Sequence, residues 1–366
     1  MSCHNGWYTM NTTEPSGTTK PAAAADGTGA MTGTGAAVIA AENLKVYFNI
    51  RQGFFQEVIL NRKLQVKAVD DVSISIGKGE ILSLVGESGS GKTTIGKALL
   101  SLVEHTGGTI RFEGQDIRTG GALRGFRRKA QMIFQDPYQS LNPRDIVLDI
   151  VGEPLRVHFR DESTVERKDR VVEALEWAGL TPAEDYLYRL PHELSGGQRQ
   201  RVAIAAALVM RPEFIVADEP VSMLDVSIRA DILRLMVDQR DRLGISYLFI
   251  THDLSLAWLI SDRIAIMYLG RIMELGNPEL IVGSCLHPYT KALVEVMPLA
   301  KVRTNKKRTI LRGETPNPVN LPKGCRFHPR CPSAMDICRE REPDLKEVGK
   351  GHFVACHLVN GGKGTE

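Results

Sequence analysis

Ile81-Leu82-Ser83-Leu84-Val85-Gly86-Glu87-Ser88-Gly89-Ser90-Gly91-Lys92-Thr93-Thr94 joins a short apolar run to a glycine-rich turn and then to a segment of helical spacing. The run from Gly86 to Thr93 fits G-x-x-x-x-G-K-[ST]. In that pattern the glycines let successive backbone N–H groups turn inward around phosphate oxygens, a lysine reaches the β- and γ-phosphates, and the hydroxyl ligates Mg²⁺. The run TTIGKALLSLVE, apolar at Ile95, Leu99, Leu102 and Val103, predicts a helix whose N-terminus points at the same anion. A flexible Gly/Ser loop would match the letters equally well, but it has no reason to lie between a buried strand and a helix. The residues expected to hold a nucleotide here are Gly86, Glu87, Ser88, Gly89, Ser90, Gly91, Lys92, Thr93 and Thr94.

A phosphate loop needs a second, acidic strand end to orient the metal. Phe214-Ile215-Val216-Ala217-Asp218-Glu219 supplies one, with two carboxylates at the edge where ligands of a parallel sheet sit. Asp218 suits the Mg²⁺ shell, and Glu219 is placed to polarise an attacking water. Val72, Ile74 and Ile76 alternate with polar residues as in a half-buried strand, and residues 245–250 (ISYLFI) form another apolar run. The stretch 136–211 reads mostly helical, with VVEALEWAGL its clearest amphipathic piece. Strands alternating with helices predict an α/β fold, a mostly parallel sheet covered on both faces.

Composition sets limits on the rest. The chain has 366 residues, 43% of them hydrophobic, enough for one large core and a second domain. Lys plus Arg number 46 against 43 Asp plus Glu, a net charge of +3 that gives no sign of a bulk nucleic-acid binder. Six cysteines are too few for a disulfide scaffold, and no run of about 18 apolar residues offers a membrane span. The opening MSCHNGWYTMNTTEPSG lacks the charged-then-apolar order of a signal peptide, so a cytosolic chain is expected. Residues 1–38, rich in Gly, Thr and Ala, are expected to be a disordered tail. There is no internal repeat.

Leu194-Ser195-Gly196-Gly197-Gln198-Arg199-Gln200-Arg201 reads physically as a second anion site: Ser195 at an N-cap, two glycines baring backbone N–H groups, then a helix. One nucleotide has no obvious use for both sites of a single chain. The stretch resembles the signature of ATP-binding cassette (ABC) ATPases, and the likeness extends over about residues 41–290. That resemblance implies a RecA-like core with an antiparallel β subdomain and a helical subdomain at about 136–211, the whole domain spanning 39–290. It also implies ATP and Mg²⁺ as ligands, and two cassettes facing head to tail, so that Ser195, Gly196, Gly197 and Gln198 close over the γ-phosphate held by the other chain. Gln135 then resembles the Q-loop glutamine, which senses Mg²⁺ (whose shell would comprise Thr93, Gln135 and Asp218) and links to the membrane subunit. Asp225 in Met223-Leu224-Asp225 matches the D-loop acid, and His252 matches the switch histidine at the γ-phosphate. Phe48, or its neighbour Tyr47, resembles the aromatic that stacks on adenine. With Lys92, Glu219 and His252 as its catalytic residues, the cassette is expected to hydrolyse ATP.

DPYQSLNPR (136–144), EPVSMLDVS (219–227) and HPYTKAL (287–293) are similar to the ATPases of oligopeptide/dipeptide importers, closer to the F-type than to the D-type cassette of that pair. Met223 departs from the alanine usual there and is expected to stay clear of the chemistry. This branch implies a heterodimer with a D-type cassette, two membrane-spanning permease subunits, an extracytoplasmic solute-binding protein and a peripheral place on the cytoplasmic face of the inner membrane, with no nucleic acid. In the C-terminal region, 291–366, Cys325, Cys331, Cys338 and Cys356 lie within 32 residues among Pro and Gly turns, a pattern pointing to metal before disulfides. Their spacing is unlike zinc sites, and Fe–S clusters, zinc and merely packed thiols all stay open on the residues. The resemblance implies a [4Fe–4S] cluster, since some members of the family carry one. KVRTNKKRTILR (301–312) reads as a solvated basic linker. Two rival readings are a soluble ABC ATPase of translation or repair and an Fe–S-regulated ATPase without a transport role. The first calls for a double cassette or a coiled-coil insertion, and the sequence has neither.

Overall fold

The computed structural model describes residues 37–50, 65–118, 121–297 and 316–361. The strands, in chain order, are β1 (Ala37–Asn49), β2 (Gln65–Gly77), β3 (Ile81–Val85), β4 (Gly107–Phe112), β5 (Gln115–Asp116), β6 (Ala130–Ile133), β7 (Phe214–Asp218), β8 (Ser246–Thr251), β9 (Arg263–Tyr268), β10 (Arg271–Gly276), β11 (Lys346–Gly349) and β12 (His352–Val354). The longer helices are α1 (Lys92–Leu99), α2 (Ala122–Lys129), α3 (Val147–His158), α4 (Thr164–Trp177), α5 (Gly196–Leu208), α6 (Val226–Leu243), α7 (Leu254–Ile260) and α8 (Pro288–Glu295).

Two sheets result. One is antiparallel, in the order β2-β1-β4-β5; the other runs β11-β12-β10-β9-β3-β8-β7-β6. From β9 to β6 neighbouring strands are parallel, and β10, β12 and β11 extend that edge in antiparallel fashion. The continuous apolar runs follow from burial on both faces. In β7, Ile215 and Ala217 enter the core beneath the helices α3 to α6, while Phe214 and Val216 enter the core shared with α1 and the antiparallel sheet. Tyr247 and Phe249 of β8 join the first core, and Leu248 and Ile250 the second. All of these side chains are fully buried, so each alternate residue stabilises a different layer.

Several boundaries differ from the sequence reading. Residues 1–36 of the expected tail, and the basic run 301–312, lie outside the described residues. Ala37 and Val38 already belong to β1, where Val38 and Ile39 are buried; the alanines around them hide the alternation. The helix after the phosphate loop ends at Leu99, although the apolar pattern continues to Val103. Ser101 takes φ +53°, its N–H donates to Ala98 O at 2.9 Å, and the Leu102 N–H donates to Lys97 O at 2.8 Å, a helix stop that leaves Leu102 half exposed. Helix α4 begins as its sequence demands: Ser163 and Glu166 form a reciprocal capping box, and Val171, Ala174 and Leu175 face the core. Beyond residue 290 the chain returns to the main sheet, since Val354 of β12 pairs with Glu274 of β10.

Candidate functional site

Strand order brings the site together. β3, β8, β7 and β6 are adjacent and parallel, with Val85 level with Thr251, Asp218 with Ile250 and Ile133 with Ala217. Their C-terminal ends therefore lie side by side, and each leads at once into an expected functional stretch: the phosphate loop, His252, Asp218–Glu219 and Gln135. Gly86 and His252, far apart along the chain, come to one edge of the sheet in this way.

The loop from Gly86 to Gly91 wraps against β2 and β9. A β-carbon at Gly86 would lie 2.1 Å from Met267 O, and one at Gly91 would lie 2.1 Å from Ala68 O. Gly91 also has φ +103° and caps α1 with no side-chain hydrogen bond, so the first N–H groups of the helix stay available to an anion. Lys92 is buried, and its Nζ donates to Gly86 O at 2.8 Å and Glu87 O at 2.9 Å. Burial pulls its pKa down; the nearby carboxylates of Glu219, Asp218 and Glu87 oppose that shift. Ser88, Gly89, Gly91, Lys92, Thr93, Thr94, Gln135 and Glu219 share the walls of a cleft of about 220 Å³ with Val66–Ala68 and Leu269–Gly270.

Thr93 Oγ1 donates to Asp218 Oδ1 at 3.0 Å. Burial raises the Asp218 carboxyl, the Thr93 hydrogen bond lowers it, and the charge of Glu219 raises it further. Glu219 takes φ +46°, rare for a non-glycine residue, and its N–H donates to Ile250 O at 2.9 Å across to β8. That turn carries its side chain between two partners: Gln135 Nε2 donates to Glu219 Oε2 at 3.0 Å, and His252 Nδ1 lies 3.2 Å from Glu219 Oε1. A hydroxyl and one buried carboxylate side by side are the protein donors that a phosphate-borne Mg²⁺ uses, because it keeps most of its shell from phosphate oxygens and water.

The two aromatic candidates separate. The Tyr47 hydroxyl donates to Asp70, and burial, with that bond, pushes its pKa up to about 12. Phe48 stands 43% exposed, with its ring outside that network. Met223, expected to stay clear of the chemistry, is exposed and lines a cleft together with Thr93, Gln135 and Asp218.

The signature lies elsewhere. Ser195 Oγ accepts the Gln198 N–H at 3.3 Å and Gln198 Oε1 accepts the Ser195 N–H at 2.9 Å, a capping box that starts α5. The side chain of Ser195 therefore acts as an acceptor at its own cap. Among the described residues, Ser195, Gly196, Gly197 and Gln198 do not line the clefts beside the phosphate loop. Gly197 packs on α6, where a β-carbon would meet Ile228 Cγ2 at 3.0 Å. Asp225 is exposed at the start of α6, with no cap bond from its side chain.

The cysteine site stands apart. Cys325, Cys338 and Cys356 are buried and Cys331 half-buried, all as free thiols. Among the described residues no group of three or more His, Cys, Asp and Glu side chains is placed to hold a metal ion, so the expected [4Fe–4S] cluster at Cys325, Cys331, Cys338 and Cys356 has no support in the geometry. Burial raises the thiols of Cys331 and Cys356 and pushes Cys325 up to about 12, the protonated side. Cys325 and Cys338 pack with Tyr268, Tyr289 and Phe327, and Cys325 N–H donates to Cys338 O at 2.8 Å.

Sequence reasoning missed residues that reach the phosphate loop from the C-terminal side. Tyr289, within HPYTKAL, accepts the Glu87 N–H at 3.1 Å, and Arg330 lies 2.9 Å from Glu87. Tyr289 could have been sought through the subfamily stretch; no local pattern announces Arg330, which stands 243 residues from its partner.

Comparison with known proteins agrees with this geometry. Residues 69–222 match the family model "ABC transporter", and residues 273–338 match "Oligopeptide/dipeptide transporter, C-terminal region". The chain is similar to the oligopeptide transport ATP-binding protein AppF of Bacillus subtilis, 47% identical over 328 residues, which cover 88% of this chain and 98% of the relative. It is also similar to the dipeptide transport ATP-binding protein DppF of Haemophilus influenzae, 44% identical over 327 residues, covering 88% of this chain and 97% of the relative. Among solved structures it resembles the ATP-binding cassette MJ0796, dimeric and bound to ADP and Pi in a post-hydrolysis state, with 28% identity and a TM-score of 0.57 over 66% of this chain and 98% of that one.

Proposed function

From the premise that this chain belongs to the ABC ATP-binding subunits of oligopeptide/dipeptide transporters, we propose that it binds and hydrolyses ATP to drive peptide import through membrane subunits it does not itself contain. The observation that carries the reading is the convergence of Lys92, Thr93, Asp218, Glu219, Gln135 and His252 at four neighbouring strand ends.

Each residue has a task its surroundings support. The phosphate-loop N–H groups and Lys92 stabilise negative charge on the β- and γ-phosphates. Thr93 and Asp218 would hold Mg²⁺, whose charge would offset that of the phosphates. Glu219, fixed between Gln135 and His252, orients and polarises the attacking water, and His252 reaches the γ-phosphate. Phe48, the exposed aromatic of β1, stacks on adenine; Tyr47 is held by Asp70. Ser195 and its glycines act on the nucleotide of a facing cassette, a reading supported by their absence, among the described residues, from the clefts beside their own phosphate loop. The second cassette is a D-type partner, Gln135 and the segment after it face two permease subunits, and an extracytoplasmic binding protein delivers the solute. The chain sits peripherally on the cytoplasmic face; no helix among the described residues is long and apolar enough to cross a membrane.

Glu219→Gln tests the assignment. It keeps the hydrogen-bonding shape, so nucleotide affinity should stay within about threefold, while turnover falls by about 10²-fold or more. Undiminished turnover would refute the role of Glu219.

A further inference from the structure

The loop 325–331 carries two arginines, and both hold residues of segments that border the nucleotide cleft. Arg330 reaches the phosphate loop, where its Nη1 donates to Glu87 Oε1 at 3.1 Å and Oε2 at 2.9 Å, with the Tyr268 hydroxyl at 3.4 Å and the Tyr268 ring beneath its guanidinium at 5.8 Å. The pair is sheltered: the Arg330 side chain is 9% exposed and that of Glu87 26%. Arg326 donates to Leu269 O and to Asp70, the acid that also holds Tyr47.

The loop is firmly seated. His328 N–H donates to Cys325 O at 3.0 Å and Arg330 N–H to Phe327 O at 3.0 Å. Phe327 packs edge-on against Tyr268 with ring centroids 5.4 Å apart, and 5.3 Å from Tyr289, whose hydroxyl accepts the Glu87 N–H. Glu87 is thus gripped at its backbone and its carboxylate by the C-terminal region.

Charge gives this grip a consequence. Glu87 is the second residue of the phosphate loop, and its carboxylate is close enough to bear on Lys92. Without its arginine, that carboxylate would repel a triphosphate seated on the same loop; in a partly desolvated cleft such repulsion is weakly screened. We propose that Arg330 is a positioning residue for nucleotide binding: it neutralises the Glu87 carboxylate, whose backbone N–H Tyr289 holds. By that link, the C-terminal region sets the nucleotide affinity of the cassette, and any rearrangement of the thiol-bearing loop 325–331 changes that affinity. The proposal rests on the reading of the phosphate-loop cleft as the ATP site.

The test uses the full chain, a fluorescent ATP analogue for affinity, and steady-state hydrolysis for KM and kcat. Arg330→Gln should weaken nucleotide binding and raise KM about tenfold, with kcat changed less than about twofold. Glu87→Gln should tighten binding about threefold. The double variant E87Q/R330Q should return to within about twofold of the native chain, because the charge to be neutralised is gone. A merely structural role for Arg330 predicts a double variant as weak as R330Q, and that result would overturn the proposal, as would native affinity in R330Q. Should R330Q fail to fold, Glu87→Gln alone decides: tighter binding supports the proposal, and unchanged or weaker binding contradicts it. Absence of nucleotide binding by the native chain is a separate failure, that of the ATP site itself.

Discussion

Gly89 and Gly91 of the phosphate loop make unequal demands, and alanine at each measures the difference. Gly89 has φ +76° and nothing within 4 Å of where a β-carbon would stand, so Gly89→Ala bears only the left-handed backbone penalty, about 1 kcal/mol. Gly91 has φ +103°, and a β-carbon there falls 2.1 Å from Ala68 O and 2.8 Å from Met267 Cε. The methionine end can swing away, but Ala68 O is backbone of β2, which is paired along its length with β1. Relieving the contact means parting loop and strand by about 1 Å, at a typical overpacking cost of about 1–3 kcal/mol on top of the backbone strain. Gly91→Ala should therefore lose about 3–5 kcal/mol and Gly89→Ala about 1 kcal/mol in urea unfolding followed by circular dichroism. Nucleotide affinity should collapse in the first and survive in the second. Equal losses, or a Gly91→Ala protein as stable as the native chain, would refute the close approach of β2 to the loop.

Two further outcomes follow from groups around the site. His287 is buried, its Nδ1 accepts the Tyr289 N–H at 3.0 Å, and burial, with the charge of Lys291, pulls its pKa down to about 3. The unfolded chain protonates this ring near pH ~6.5, so its stabilising contribution is complete above that pH and is lost progressively toward pH ~3, about 2 kcal/mol by about pH 5. His287→Asn keeps a cap acceptor but cannot titrate, and its unfolding free energy should decline about 2 kcal/mol less than that of the native chain between about pH 7 and pH 5; parallel curves would contradict the assignment. At the adenine end, Phe48→Ala should weaken nucleotide binding about fivefold with little change in stability, whereas Tyr47→Phe should cost about 1 kcal/mol of stability and leave affinity within about twofold, as read by fluorescence titration and urea unfolding.

The parts of the fold that could be read in the sequence are those where one residue pattern has one physical meaning. FIVAD is buried on both faces and is β7 to the residue, and the amphipathic VVEALEW forms the second half of α4, with Val171, Ala174 and Leu175 facing the core. The apolar spacing after the phosphate loop misled, because Leu102 has the period of a helix that Ser101 has already ended. Motifs at strand ends were legible since parallel neighbours bring Gly86, His252, Asp218 and Gln135 to one edge whatever the loops between them do. Long-range charge pairs were not: Arg330 and Arg326 have no periodicity or spacing that announces Glu87 and Asp70. The cysteines are a different case. Their clustering in sequence is real, yet three of the four are buried, Cys325 and Cys338 packed against aromatic rings, and among the described residues no metal-holding group forms.

The central claim is that this chain powers membrane subunits, and the most direct test is affinity recovery of the tagged full chain from detergent-solubilised membranes, with the bound proteins identified by mass spectrometry. The expected result is two polytopic membrane subunits and a second cassette in stoichiometric amounts, with ATP hydrolysis by the recovered complex. A chain recovered alone from the soluble fraction, or bound to ribosomes or DNA, would contradict it.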